Sequence, residues 1–132
     1  MKVSLGAGGK PDDAGQQAIW ATCKVKGVPS IAALKPDAIA LTGDAIEGSV
    51  KKVRDDTVGF AQLEARDGKF YVTGNHEYYH GGAAWEAEFA RLGFTVLHNA
   101  HHVVARDGAQ LVIAGVTDLD GARFSEHHRP DA

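Results

Sequence analysis

The sequence predicts an α/β protein that has a mainly parallel sheet, flanking helices and a late antiparallel hairpin. Apolar runs of strand length alternate with stretches in which apolar residues recur at helical spacing, the pattern of a parallel sheet with crossover helices. Further along, the stretch AHHVVARDGAQLVIAG contains two β-rich runs joined by Arg-Asp-Gly, which is a hairpin signal.

Regular elements are predicted from residue 30 onward. A short helix over SIAALK ends before Pro36, because the residue that precedes a proline avoids the helical region. The strand DAIALTGD follows, then a helix over residues 48–65 and the strand KFYVTG. A helix over residues 82–93 ends at Gly93, and the strand FTVLH leads into the hairpin. The polar tail beyond residue 115 predicts no closing element.

Residues 1–29 lack this regularity. GAGGKPDDAGQQ resembles a loop, and AIWATCKVKGVPS fits neither a strand nor a helix. We therefore expect an atypical N-terminal segment over residues 1–29, a candidate for disorder, and a folded domain over residues 30–132.

Composition narrows the class of protein. A chain of 132 residues suits one domain, and a net charge of -3 argues against a nucleic-acid-binding surface. The single cysteine, Cys23, excludes an intrachain disulfide and is compatible with a reducing compartment. No apolar run approaches the ~20 residues of a membrane helix, and the first residues do not form a signal peptide. We expect a chain that is cytoplasmic or peripheral to a membrane.

The residues whose side chains could bind a metal or take part in a reaction lie at two strand ends. AIALTGD and FYVTGNHE each place Thr-Gly and a polar residue after an apolar strand. Parallel neighbours bring such ends to one edge of the sheet, which would place Asp44 beside Asn75. Asp44 offers a hard oxygen ligand, Asn75 a neutral carbonyl oxygen, and His76 a hydrogen-bond donor or general acid.

Simpler interpretations remain open for each residue. Asp44 alone suits a helix N-cap, and Asn75 alone suits a left-handed turn. His98, His101 and His102 form a cluster in which residues 98 and 102 would face each other across strands. This cluster would capture a metal adventitiously or consist of exposed strand-end histidines.

The two strand-end motifs resemble those of the calcineurin-like metallophosphoesterase family, which has Gly-Asp at one strand end and Gly-Asn-His-Glu at another. LKPDAIALTGD, VTGNHEYYHGG and VLHNAHHVV also look like the branch related to bacterial phosphodiesterases. The resemblance covers residues 31–117. It implies a partial metallophosphoesterase-type sandwich, a mixed sheet with flanking helices that is incomplete relative to the family, over residues 30–132.

The resemblance also implies a hydrolase that cleaves a phosphate mono- or diester at a two-metal centre, with two divalent ions of the Mn, Fe or Zn type. Asp44 would bridge the metals, Asn75 would bind the second one, and His76 would assist the leaving oxygen. Glu77 would orient the loop without binding metal. The partner would be a phosphate-ester substrate.

The chain departs from the family pattern at both ends. The family's opening Asp-x-His and its closing lone histidine and Gly-His-x-His block have no counterpart, since His127 and His128 lack the glycine and the strand. We therefore expect a fragment with doubtful metal occupancy, weak metal binding and little or no turnover. Unpaired sheet edges would favour self-association.

Two other functions stay open. One is a non-catalytic remnant that binds a cation or a protein partner. The other is a receiver-type domain in which Asp44 accepts a phosphoryl group. A receiver domain predicts an acidic pair near the first strand and a late lysine, and neither is evident.

Overall fold

A mixed five-stranded sheet forms the centre of the computed structural model, which describes residues 3–5, 18–21 and 28–131. The strands are β1 (Val3–Leu5), β2 (Ala18–Ala21), β3 (Ala38–Leu41), β4 (Lys69–Tyr71) and β5 (Thr95–Val96). They lie in that order across the sheet. β1 runs antiparallel to β2, and every other neighbouring pair is parallel.

The described part of the chain also contains four α-helices, three 3₁₀ helices and a separate hairpin. The helices are α1 (Val28–Ala33), α2 (Val50–Thr57), α3 (Asn75–Tyr79) and α4 (Gly82–Arg91). The hairpin consists of β6 (Ala100–Arg106) and β7 (Ala109–Gly115), which pair antiparallel. The predicted hairpin and the predicted α/β class, with a parallel sheet and flanking helices, are both confirmed.

The predicted helix over residues 48–65 is shorter and changes type. α2 ends at Thr57, and the chain continues as the 3₁₀ helix Val58–Gln62. Gly59 lies in this continuation, and glycine costs an α-helix about 1 kcal/mol relative to alanine. The local loss of helix propensity therefore coincides with the tighter winding.

No strand is predicted within residues 1–29, and this prediction is wrong at two places. β1 and β2 pair with each other, and β2 extends the parallel sheet beside β3. The rest of the segment, with Asp12, Asp13 and Cys23, lies outside the described residues. The division into residues 1–29 and 30–132 stays a prediction.

The tail, which was predicted to end without a closing element, folds back onto the domain. It forms two 3₁₀ helices, Leu119–Arg123 and Glu126–His128. Asn99, in a left-handed conformation with φ 47°, accepts from the Thr117 amide at 3.1 Å and donates to the Arg129 carbonyl at 2.7 Å. One side chain therefore fastens both ends of the tail.

The core packs α4 against one face of the sheet. Phe89 stacks on Tyr71 with ring centroids 4.1 Å apart and meets Phe60 and Phe94 edge-on. Trp85, which is fully buried, donates from Nε1 to the Gly48 carbonyl at 3.0 Å. The core role predicted for Trp85 and Phe89 is confirmed, and their contacts hold the loop after β3 against α4.

Glu88 on α4 provides a pH-dependent tie to α2. Its buried carboxylate accepts hydrogen bonds from Arg91 and Arg54. The Arg91 hydrogen bonds, aided by Arg54, hold the pKa of Glu88 below its usual value although burial opposes this. A depressed acid pKa adds stability above the unfolded-state pKa, and this stability is lost as the pH falls through the folded-state pKa.

Glu88→Gln is expected to lower the free energy of unfolding at neutral pH by about 1 kcal/mol, because both arginines are half-exposed and water screens the pair. The loss should begin to shrink as the pH falls below the unfolded-state pKa of about 4.3, and it should vanish below the depressed folded-state pKa, where the wild-type carboxylate is also neutral. Urea unfolding across this range measures both effects. The exposed Glu64→Gln is the matched control, and an equal response in the two variants would contradict the assignment.

The hairpin presents apolar residues to solvent. Val103, Leu111 and Val112 are 42%, 57% and 58% exposed. In the described part of the chain, β6 and β7 pair only with each other. Self-association through these edges stays a prediction. Among the described residues, no helix combines the length and the apolar character that crossing a bilayer requires.

Candidate active site

The loops that follow β3 and β4 touch each other through their backbones. A Cβ atom added to Gly43, which has φ +76°, would lie 2.1 Å from the Gly74 nitrogen. A Cβ atom added to Gly74 would lie 2.2 Å from Asp44 Oδ1. Both positions require glycine because no side chain fits between the loops.

Asp44 lies directly against residues 74–76. It adopts a left-handed conformation with φ 53°, which is uncommon for a residue other than glycine and is often found at functional sites. Its Oδ1 atom accepts a hydrogen bond from the His76 amide at 3.1 Å. The structure therefore brings together the two strand ends that the sequence predicts to be neighbours. We call this edge, formed by Asp44 and residues 74–76, the rim.

Glu77 ties the two loops together through hydrogen bonds to their backbone amides. Its carboxylate is fully buried and accepts from the amides of Asp44, Ala45 and Gly74 at 2.8, 2.9 and 2.7 Å. Burial raises the pKa of Glu77, and the three backbone donors oppose that rise. Its position matches the predicted orienting role, because its carboxylate accepts hydrogen bonds from both loops.

His76 is paired with a residue that the sequence analysis did not single out. Its Nδ1 atom lies 2.8 Å from Oε1 of Glu47, which is in the loop after β3. When Nδ1 donates its proton to Glu47, Nε2 is left to interact with a ligand. The side chain of His76 is 36% exposed, so such a ligand has access from solvent.

Asn75 belongs to a hydrogen-bond chain that reaches the tail. Its Nδ2 atom donates to the Tyr79 hydroxyl at 3.0 Å, and that hydroxyl donates to Oδ2 of Asp120 at 3.3 Å. This hydrogen bond fixes the side-chain nitrogen of Asn75 toward Tyr79, so the side-chain carbonyl oxygen points away from Tyr79. Asp120 and Tyr79 thus support Asn75, and only the tertiary structure shows that they meet.

The donor set of the rim fits part of a hard-cation site. Asp44 offers a charged oxygen and Asn75 a neutral one, and oxygen ligands suit Mg²⁺ or Mn²⁺. Two protein ligands, one of them neutral, hold a cation weakly. Within the described residues, the one group of at least three His, Cys, Asp or Glu side chains with ligand atoms within 4.8 Å is elsewhere, at His98, His127 and His128.

Known proteins with similar sequences share one class. A putative metallophosphoesterase of Caenorhabditis elegans is 38% identical over 69% of this chain and 19% of its own length. An uncharacterized metallophosphoesterase of Aquifex aeolicus is 41% identical over 68% of this chain and 33% of its own length. A transmembrane protein with metallophosphoesterase domain of Danio rerio is 31% identical over 66% of this chain and 21% of its own length.

These homologues, named metallophosphoesterases and 31–41% identical over about two thirds of this chain, support membership of the calcineurin-like metallophosphoesterase family, and the mixed α/β fold is compatible with it. It spans between about a fifth and a third of the length of the curated relatives described above. The sequence matches no protein-family model and no solved structure. Family membership implies divalent metals and a phosphoester substrate for the class.

Proposed function

We propose that this chain carries the central part of a two-metal centre that hydrolyses a phosphate mono- or diester. The observation that supports this proposal is the contact of Asp44 with residues 74–76 at the carboxyl ends of two neighbouring parallel strands. Asp44 would bridge two divalent ions of the Mn, Fe or Zn type, and Asn75 would bind one of them. Bound ions would polarise the phosphoryl oxygen and lower the pKa of a bound water.

Other side chains of this chain would supply the proton and hold the reacting groups in position. His76 would donate a hydrogen bond or a proton from Nε2 to the leaving or a non-bridging oxygen. Glu47 would hold the imidazole in place through Nδ1. The Tyr79 hydroxyl would keep the Asn75 amide turned so that its carbonyl oxygen serves the cation.

We expect weak metal binding and little or no turnover by the 132-residue chain alone. The reason is the small number of metal ligands, since two residues, Asp44 and Asn75, match the family's metal-binding motifs. This number also favours a second candidate function, a non-catalytic remnant that binds a cation or a protein partner. A receiver-type phospho-acceptor gains no support from the family assignment.

A calorimetric titration with Mn²⁺ tests the proposed centre. Asp44→Asn is expected to weaken Mn²⁺ binding by at least about tenfold, because loss of the charged ligand costs more than ~1.4 kcal/mol. Asn tolerates the left-handed conformation, so the backbone should be preserved. Asp107→Asn is the matched control, since Asp107 has φ 50° in the remote hairpin turn and should leave binding unchanged.

The same samples test the chemistry with aryl phosphate mono- and diesters. Slow hydrolysis that requires Mn²⁺ and disappears in Asp44→Asn would support the enzyme. Equal, negligible heats of Mn²⁺ binding in the wild type and in Asp44→Asn would contradict the proposed centre and favour the non-catalytic remnant. Robust Mn²⁺-dependent turnover would contradict the expectation that this chain is weakly active.

A further inference from the structure

Three histidines from two separate parts of the chain meet outside the rim. His98 follows β5, whereas His127 and His128 belong to the second 3₁₀ helix of the tail, Glu126–His128. One ring nitrogen from each lies within 4.8 Å of the others. The rings of His98 and His127 stack with centroids 4.4 Å apart. The predicted metal-capturing cluster of His98, His101 and His102 is not what meets here, because His101 and His102 are exposed on β6, as the alternative interpretation expected, and the His102 ring packs on Phe70.

His128 supplies an independent sign that a ligand is needed here. The residue is 7% exposed, and neither of its ring nitrogens has a hydrogen-bond partner among the described residues. An unsatisfied buried polar group is costly, so native structures rarely leave one without a partner. A cation bound at the cluster would satisfy one of these nitrogens and remove part of that cost.

Glu86 on α4 lies beside the same three rings. Its Oε1 atom is 2.7 Å from Nδ1 of His98 and 3.8 Å from Nε2 of His128. A carboxylate that accepts from one ring nitrogen orients a metal-binding histidine and makes its other nitrogen a better ligand. Nε2 of His98 would then face the metal in place of its present partner, the His127 carbonyl at 2.7 Å.

We propose that His98, His127 and His128 bind a divalent cation of the zinc class, with Glu86 as the orienting carboxylate. Imidazole ligands favour zinc, cobalt, nickel or copper ions over Mg²⁺ or Mn²⁺, which separates this site from the oxygen ligands of the rim. Zn–N bonds of about 2.0–2.1 Å in a tetrahedron place ligand nitrogens roughly 3.3 Å apart. The three ligand nitrogens lie within 4.8 Å of one another, so metal binding would require the rings to adopt that closer spacing.

The existing contacts hold the ligands close together before any metal binds. Thr117 donates to the His128 carbonyl at 3.1 Å, and Asn99 donates to the Arg129 carbonyl at 2.7 Å. A bound cation would add a third tie between the tail, the end of β5 and α4. Because the tail also carries Asp120, the site would stabilise the segment that supports Tyr79 and Asn75.

Cobalt substitution in the untagged full chain tests the site. Tetrahedral Co²⁺ absorbs strongly in the visible range, whereas octahedral Co²⁺ held by oxygen ligands absorbs weakly. We expect a strong band that saturates at one equivalent of Co²⁺ and is displaced by Zn²⁺ but not by Mg²⁺. Glu86→Gln should weaken Co²⁺ binding about 10- to 100-fold.

Variants at exposed positions separate the site from the fold. His127→Gln should abolish the band without loss of circular dichroism, since His127 is exposed. The matched control His101→Gln, at an exposed histidine of β6, should keep the band, and so should Asp44→Asn. His98→Gln is the second ligand variant. Absence of the band from the wild type, its persistence in both ligand variants, or its loss in Asp44→Asn would overturn the proposal.

Discussion

Gly43→Ala is expected to destabilise the protein by about 2–5 kcal/mol and to separate the two loops of the rim. The left-handed conformation of Gly43 costs alanine about 1–2 kcal/mol, and forcing an extra methyl group into a packed site costs about 1–3 kcal/mol more. The atom that the new Cβ would meet at 2.1 Å is a backbone nitrogen of Gly74. A backbone cannot rotate away as the end of a side chain can.

Urea unfolding of Gly43→Ala beside Gly108→Ala isolates the packing part of this cost. Gly108 has φ +79°, close to that of Gly43, yet no described atom lies within 4 Å of a Cβ added there. The control should therefore lose only the conformational cost, about 1–2 kcal/mol. Equal losses in the two variants would show that the loops do not touch in solution.

Glu77→Gln is expected to lower the free energy of unfolding by about 1–3 kcal/mol. The amide oxygen of glutamine can accept from the donors on one side only, so its NH₂ group would face at least one backbone N–H. A buried donor without an acceptor costs about 1–3 kcal/mol. Mn²⁺ binding should weaken too, because fewer hydrogen bonds would tie the two loops to each other.

The control for this prediction is Glu47→Gln, which changes a neighbouring carboxylate whose side chain is 65% exposed. It should leave the free energy of unfolding nearly unchanged. Retention of wild-type stability by Glu77→Gln would mean that the hydrogen bonds from Asp44, Ala45 and Gly74 do not hold the rim together.

Much of the scaffold is predictable because local patterns encode it. The apolar run before Asp44 and the one before Gly74 identify β3 and β4, and helical spacing identifies Trp85 and Phe89 as core residues of α4. The two Thr-Gly segments further predict that both strand ends meet, since parallel strands end at one edge. These features depend on residues near one another in sequence.

The features that the sequence did not reveal depend on distant contacts. α3 has five residues, too few for a helical period, and Glu77 fastens its first turn to the loop after β3. The pairing of His76 with Glu47 joins residues that no motif links. Glu86 and His98 meet where α4 packs beside β5, and the tail histidines join them only because the tail folds back.

Paramagnetic broadening by Mn²⁺ in an amide NMR spectrum tests the central claim most directly. If Asp44 and residues 74–76 share one cation, their amide signals should broaden together at the same Mn²⁺ concentration, and the broadening should vanish in Asp44→Asn. Signals of the hairpin turn at Gly108 should remain sharp. Broadening confined to one of the two loops, or broadening of both that survives Asp44→Asn, would contradict the account.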